Sequence, residues 1–206
     1  MAFDGVFLHK ITAELSAAEN SHVDKIYQPS KDELVFLLRK KCFVKKLLIT
    51  ARPGYARLHF TEGKYENPQT PPMFCMLMRK YLSAARLLSV TQPELERIAE
   101  LTFSTSNELG DIIEVKLIAE FLGNKTNIIL VGADGRIIDS LRRSDPEKDE
   151  RTVLPGAVYK YPDSQHKLNP VTEDINTILS AAENYGGDLE KALLSAIQGF
   201  SPLICR

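Results

Sequence analysis

The segment Ile113–Phe121 constrains the fold more than any other stretch of this chain. Ile113, Val115, Leu117, Ala119 and Phe121 recur at every second position, with Glu114, Lys116, Ile118 and Glu120 between them. A period of two sends successive side chains to opposite faces of a strand. The segment therefore reads as a strand with one face on a core and the other, Glu120 included, toward solvent. Such one-sided strands belong to antiparallel sheets. Gly123-Asn124 marks a turn into a strand over Asn127–Val131, and Asp134-Gly135 is a hairpin signal ahead of Arg136–Leu141.

The rest of the chain agrees with this frame. Val23–Tyr27, Leu34–Arg39, Val44–Thr50 and Ala56–Phe60 read as short strands separated by polar, Gly or Pro breaks. Helices flank them. Asp4 caps a first helix with the stripe Phe7, Ile11, Leu15, Ala18; Thr70 with Pro71 opens a second, with the stripe Phe74, Leu77, Met78, Tyr81, Leu82, Ala85. The predicted class is α+β, an antiparallel β-sandwich with flanking helices. Beyond the charged loop Asp145–Arg151 and the irregular Val153–Pro170, Thr172 caps a helix that ends at Gly186-Gly187. Asp188 caps another, ending at Gly199, and Ser201-Pro202 starts a third. Residues 1–170 are therefore expected to form one domain, and 171–206 the start of an incomplete helical one.

Composition excludes more than it assigns. With 44% hydrophobic and 26% charged residues, the chain is that of an ordinary folded protein. Cys42, Cys75 and Cys205 have neither disulfide-framework nor zinc-site spacing, and His9, His22, His59 and His166 lack metal-ligand spacing, so no metal and no cofactor is expected. Phosphate-loop, dinucleotide-binding, nucleophile-elbow and zinc-protease motifs are missing, and no catalytic residue is assigned. No signal peptide or membrane-length apolar run is seen, so a cytoplasmic location is expected. Net charge is −1, yet cations cluster at Arg39-Lys40-Lys41 with Lys45-Lys46, at Arg79-Lys80 with Arg86, and at Arg142-Arg143. Such clusters are either solvated faces or parts of a phosphate track.

Several ordered segments carry a family resemblance: Met1-Ala2-Phe3-Asp4-Gly5-Val6-Phe7-Leu8; Asn67-Pro68-Gln69-Thr70-Pro71-Pro72-Met73-Phe74-Cys75 leading into Leu77–Leu82; Gly123–Val131; Val153-Leu154-Pro155-Gly156; Tyr159, Pro162 and Asn169-Pro170; and Gly199-Phe200-Ser201-Pro202. Together they resemble the NFACT-N domain of the RqcH/NEMF family, older bacterial members of which are called fibronectin-binding protein A. The resemblance implies a fold similar to the N-terminal domain of formamidopyrimidine-DNA glycosylase, followed by a helix-two-turn-helix element. It further implies a ribosome quality control factor. The intact protein would bind a large ribosomal subunit carrying a stalled chain and recruit tRNA, alanyl-tRNA in bacterial members, for untemplated C-terminal tailing. The ribosome would form the peptide bonds, so this domain would position tRNA without catalysis.

The same resemblance nominates residues. The family's Asp-Arg pair falls on Glu96-Arg97, and its Glu-x-Met-Gly-Arg patch falls on Glu120, Gly123 and Asn124, with Lys125 next to the missing arginine. Lysine supplies charge but not a planar bidentate donor set. Taken alone, Glu96-Arg97 is a surface pair worth at most about 1 kcal/mol; adjacent strand residues point to opposite faces, so joint action needs a bulge or a strand end. Glu120 has two readings, an exposed carboxylate accepting from bases in an RNA loop or a solubilising residue paired with Lys116. Ala84-Ala85 stands where many relatives carry glycines, which should stiffen the helix end. Two rivals remain. A glycosylase would need an N-terminal proline followed by glutamate, where this chain has Ala2-Phe3. A fibronectin-binding adhesin would have to reach the surface without a leader.

Overall fold

The structure is a computed structural model that describes residues 3–145, 147, 149, 151–185 and 187–206; Met1, Ala2, Pro146, Lys148, Glu150 and Gly186, where a helix end was expected, lie outside that set. Nine antiparallel strands run β1 (His22–Ser30), β2 (Glu33–Lys40), β3 (Phe43–Thr50), β4 (Arg57–Thr61), β5 (Arg86–Thr91), β6 (Ile98–Ser106), β7 (Ile112–Glu120), β8 (Asn127–Val131) and β9 (Ile137–Ser140). Helices α1 (Gly5–Leu15), α2 (Met73–Leu82), α3 (Ile175–Tyr185), α4 (Leu189–Ala196) and α5 (Pro202–Cys205) complete the α+β fold.

The expected sandwich is corrected in one respect. All nine strands join a single sheet in the order β4-β3-β2-β1-β5-β6-β7-β8-β9. The two halves meet where His22 pairs with Arg86, flanked by backbone bonds from Asn20 N to Leu87 O (2.8 Å) and from Val23 N to Ala85 O (2.9 Å). They then fold over one core. Phe36 of β2 stacks on Phe103 of β6 with ring centroids 6.4 Å apart, and Leu8, Met78, Leu101 and Leu117 belong to the same buried cluster. Arg142, just past β9, closes the far ends: its Nη2 donates to Asp32 Oδ1 and to Ala51 O, each at 2.8 Å.

Local rules account for most element boundaries, and the exceptions have physical causes. Asp4 Oδ1 accepts from Phe7 N at 2.8 Å, as an N-cap should. Of the expected α1 stripe, Leu15 and Ala18 are buried and Ile11 packs on the core, but Phe7 is exposed; Leu8 and Thr12 complete the buried face, and Gly5 packs against the C-terminal segment. Helix α2 begins at Met73 with Pro72 as its cap residue, so Thr70 and Pro71 lie two residues too early. Asp174, not Thr172, caps α3, its Oδ2 accepting from Asn176 N at 2.9 Å. Asp188 caps α4 as expected, accepting from Glu190 N at 3.0 Å.

Candidate nucleic-acid interface

Sheet register brings the nominated residues to one end. Ile98, the first residue of β6, lies opposite Glu120, the last of β7, and the Phe121 N–H donates to Arg97 O at 2.7 Å. The turn Gly123–Lys125 follows within three residues. Glu96 and Arg97 are therefore not within a regular strand but in the loop just before β6, the strand end that adjacent side chains need in order to act together.

That loop is tightly held. Gln92 Nε2 donates to Gly5 O at 2.9 Å and to Glu96 O at 2.8 Å. Gln198 Nε2, arriving from beyond α4, donates to Glu94 Oε2 and Glu96 Oε1, each at 2.9 Å. Gly5 is obligatory here, since a side chain on it would strike the Leu95 carbonyl and come within 2.6 Å of Gly199 Cα. Gly5 N donates to Gly199 O at 3.0 Å, completing the clamp. The result is a cleft of about 380 Å³ whose walls include Phe3, Glu96, Arg97, Asp163 and Phe200. Glu96 is thus committed to Gln198, whereas the half-buried guanidinium of Arg97 has no hydrogen-bond or ion-pair partner among the described residues.

Glu120 is the main correction. It has no exposed surface. Arg151 Nη1 and Nη2 donate to its two oxygens at 2.8 and 2.5 Å, and Tyr159 Oη donates to Oε1 at 2.8 Å. Burial, followed by the neighbouring Glu120 carboxylate, drives the Tyr159 hydroxyl far above its ordinary value near 10. Glu120 therefore offers no free edge to a base. Nor does it pair with Lys116, whose Nζ lies 3.1 Å from Glu100 Oε2. Glu114 and Lys116 are exposed as expected, but the end of that face from Ile118 to Glu120 is covered by residues 151–161. Val153 and Tyr159 pack with Ile98, Ile118, Ile129 and Ile137 into a second apolar cluster, and Tyr161 donates to Glu100.

Gly123, Asn124 and Lys125 remain as expected: a single exposed 3-10 turn in which Gly123 takes φ 62°, a region that favours glycine. Thr126 anchors it, its hydroxyl donating to Gly123 O at 2.7 Å. The side chains of Asn124 and Lys125 have no partner among the described residues and border a cleft shared with Arg142, Arg143 and Arg151. The cationic clusters of the sequence are largely committed to structure. Arg39 pairs with Asp24, Lys80 with Glu108, Arg143 with Asp139, and Lys40 Nζ donates to Ala17 O and Glu19 O. Arg151 and Tyr159 were missed because only long-range packing marks them. The one sequence signal was Ile118, an apolar residue on the supposedly wet face. Among the described residues, no group of three or more His, Cys, Asp or Glu is placed to hold a metal ion. No helix among the described residues is long and apolar enough to cross a membrane.

The chain belongs to the family described as NFACT N-terminal and middle domains, whose model matches residues 4–206. It is 39% identical over 209 residues to the Rqc2 homolog RqcH of Bacillus subtilis, a match that covers all of this chain and 37% of that protein. It is 27% identical over 206 residues to the human ribosome quality control complex subunit NEMF, covering 98% of this chain and 18% of that protein. The chain thus spans about a third or less of the length of these relatives. Among solved structures, the N-terminal domain of fibronectin-binding protein PavA from Streptococcus pneumoniae superposes with a TM-score of 0.91 at 36% identity, covering 99% of this chain and 81% of that one. The fibrinogen binding protein from Staphylococcus aureus gives 0.88 at 33% identity, covering 100% and 73%.

Proposed function

We propose that this chain is the tRNA-binding part of a ribosome quality control factor, acting in the cytoplasm. In the whole protein it would work on large ribosomal subunits carrying stalled chains, recruiting tRNA, alanyl-tRNA in bacterial members, for untemplated C-terminal tailing. The observation that carries this reading is the unpartnered Arg97 guanidinium, held in a clamped loop beside the exposed turn Gly123–Lys125. Arginine forks match phosphate geometry, and unpaired bases of RNA loops are what proteins usually read. The domain is non-catalytic in this reading: it positions tRNA, and the ribosome makes the bonds. Residues 1–170 form its NFACT-N domain, similar to the glycosylase N-terminal fold, and 171–206 begin a helix-two-turn-helix domain.

Within that reading Arg97, Asn124 and Lys125 touch RNA, Gly123 shapes the turn, and Glu96 aims Arg97. Glu120 acts from behind, through Arg151. The test is recovery of tRNA with the purified protein. Arg97→Ala is expected to lower tRNA affinity at least tenfold at unchanged Tm; wild-type recovery by the variant removes Arg97 from the site. The names of the fibronectin-binding protein PavA and the Staphylococcus aureus fibrinogen binding protein support a second reading, fibronectin or fibrinogen binding. Saturable capture of plasma fibronectin by the purified protein, unaffected by Arg97→Ala, would favour it.

A further inference from the structure

A second cationic cleft lies on the first half of the sheet, on the face turned away from the main core. Across β1, β2 and β3 the register sets Lys25 beside Leu37 and Leu37 beside Lys46. In the next row Tyr27 pairs with Val35. The coil after β4 passes over this face and leaves a cleft of about 280 Å³ between strands and coil, with Lys64, Tyr65 and Asn67 as the outer wall.

Three features define what fits. Three lysines line the cleft and no carboxylate does. Lys25 and Lys64 are exposed and without a partner among the described residues, while Lys46 Nζ donates only to Gly63 O, at 3.0 Å. Of the nearby acids, Asp24 holds Arg39, Glu62 faces Lys45, and Glu66, exposed on the outer coil, is not among the residues that line the cleft. Arg79 adds a fourth positive charge, 6.0 Å from the Tyr27 ring centroid. The floor is apolar, from Val35 and Leu37, and the wall ring of Tyr65 is fixed by contact of its hydroxyl with Thr61 Oγ1 at 3.1 Å.

A groove of uncompensated cations beside aromatic rings is the chemistry of single-stranded nucleic acid sites, where phosphates meet lysines and bases stack on aromatic faces. We propose that this cleft binds a single-stranded stretch of RNA, phosphates on Lys25, Lys46 and Lys64 and a base against Tyr65. The rings and the exposed Asn67 amide favour RNA over an acidic peptide, which would use the charges and leave the rings idle. This site is separate from the Arg97 end, so it gives the protein a second RNA contact.

The probe is a fluorescent ten-residue oligouridylate, read by anisotropy at several salt concentrations. Lys25→Ala/Lys64→Ala, at exposed positions without partners, is expected to keep its Tm and to weaken binding about tenfold. The salt slope should fall by about 1.4, at about 0.7 per lost single-strand phosphate contact. Tyr65→Ala should weaken binding several-fold, Tyr65→Phe much less. An oligomer carrying 4-thiouridine should cross-link within residues 25–67. Equal binding by the lysine variant overturns the proposal, as does displacement of the probe by a ten-residue polyglutamate at the same charge concentration. The Arg97 reading is judged apart, by tRNA affinity in Arg97→Ala. Combining the lysine pair with Arg97→Ala should multiply the two losses on tRNA.

Discussion

Both terminal nitrogens of Arg151 rest on the carboxylate of Glu120, at 2.8 and 2.5 Å, in surroundings that leave Glu120 no exposed surface. Removing one partner leaves the other as an uncompensated charge in a place that cannot hydrate it. Arg151→Met should therefore cost about 3–5 kcal/mol in urea unfolding. Glu120→Leu combined with Arg151→Met should recover most of that loss, since replacing both members of a buried pair by apolar groups is often neutral. A double variant as unstable as the single one would show that the pair contributes through more than charge burial.

Two tyrosines on the same covering segment should titrate late. Burial and the hydrogen bond to Glu100 push Tyr161 up to about 12, and burial beside Glu120 drives Tyr159 higher still. Both groups hold their protons in the fold at a pH where the unfolded chain, with tyrosines near 10, has released them. Their contribution is thus fully present below pH ~10 and is lost as pH rises from there through the folded values. Absorbance at 295 nm should show a component near pH 12 that disappears in Tyr161→Phe, and urea midpoints should fall as pH rises past 10.

Gly5 ties stability to the proposed RNA site. Gly5→Ala has nowhere to put its methyl group, because the obstacles are the Leu95 carbonyl and Gly199 Cα, both backbone. We expect a loss of roughly 3 kcal/mol, at the upper end of overpacking costs. The loop bearing Arg97 should move with it, so tRNA affinity should fall even at temperatures where the variant is fully folded. Unaltered affinity would mean that the clamp does not set the position of Arg97.

Ala84 gives the opposite sign. It sits at φ 61°, exposed, just after α2. An alanine in the left-handed region is strained by roughly 1 kcal/mol relative to glycine. Ala84→Gly should raise Tm by about 2–4 °C, the scale expected per kcal/mol for a chain of this size. The residue noted from sequence as a stiffening substitution is, on this backbone, a source of strain.

These cases mark how far the sequence could be read. Seven of the nine strands among the described residues and the phase of β7 were legible from local pattern, β5 and β6 were not, and the caps at Asp4 and Asp188 follow from local hydrogen bonding. The burial of Glu120 does not, because the segment that covers it returns from thirty residues downstream with no regular pattern of its own. Local phase assigns a residue to a face; only tertiary packing decides whether that face is wet. Arg142 repeats the lesson, since its partners Asp32 and Ala51 are about a hundred positions away. Arg97 was found through family resemblance, and its lack of a partner could be read only from the folded chain.

The seam at His22 and Arg86 governs how the two proposed RNA contacts can influence each other. The Lys25 groove belongs to one half of the sheet and the Arg97 end to the other, and the ladder narrows between them to one register pair. A small rotation of one half against the other would bend few backbone bonds but would have to slide Phe36 across Phe103. Any crosstalk between the two regions therefore passes through the packed core, where Phe36 rides on Phe103, and through the Arg142 bridge to Asp32 and Ala51, a gear rather than a wire.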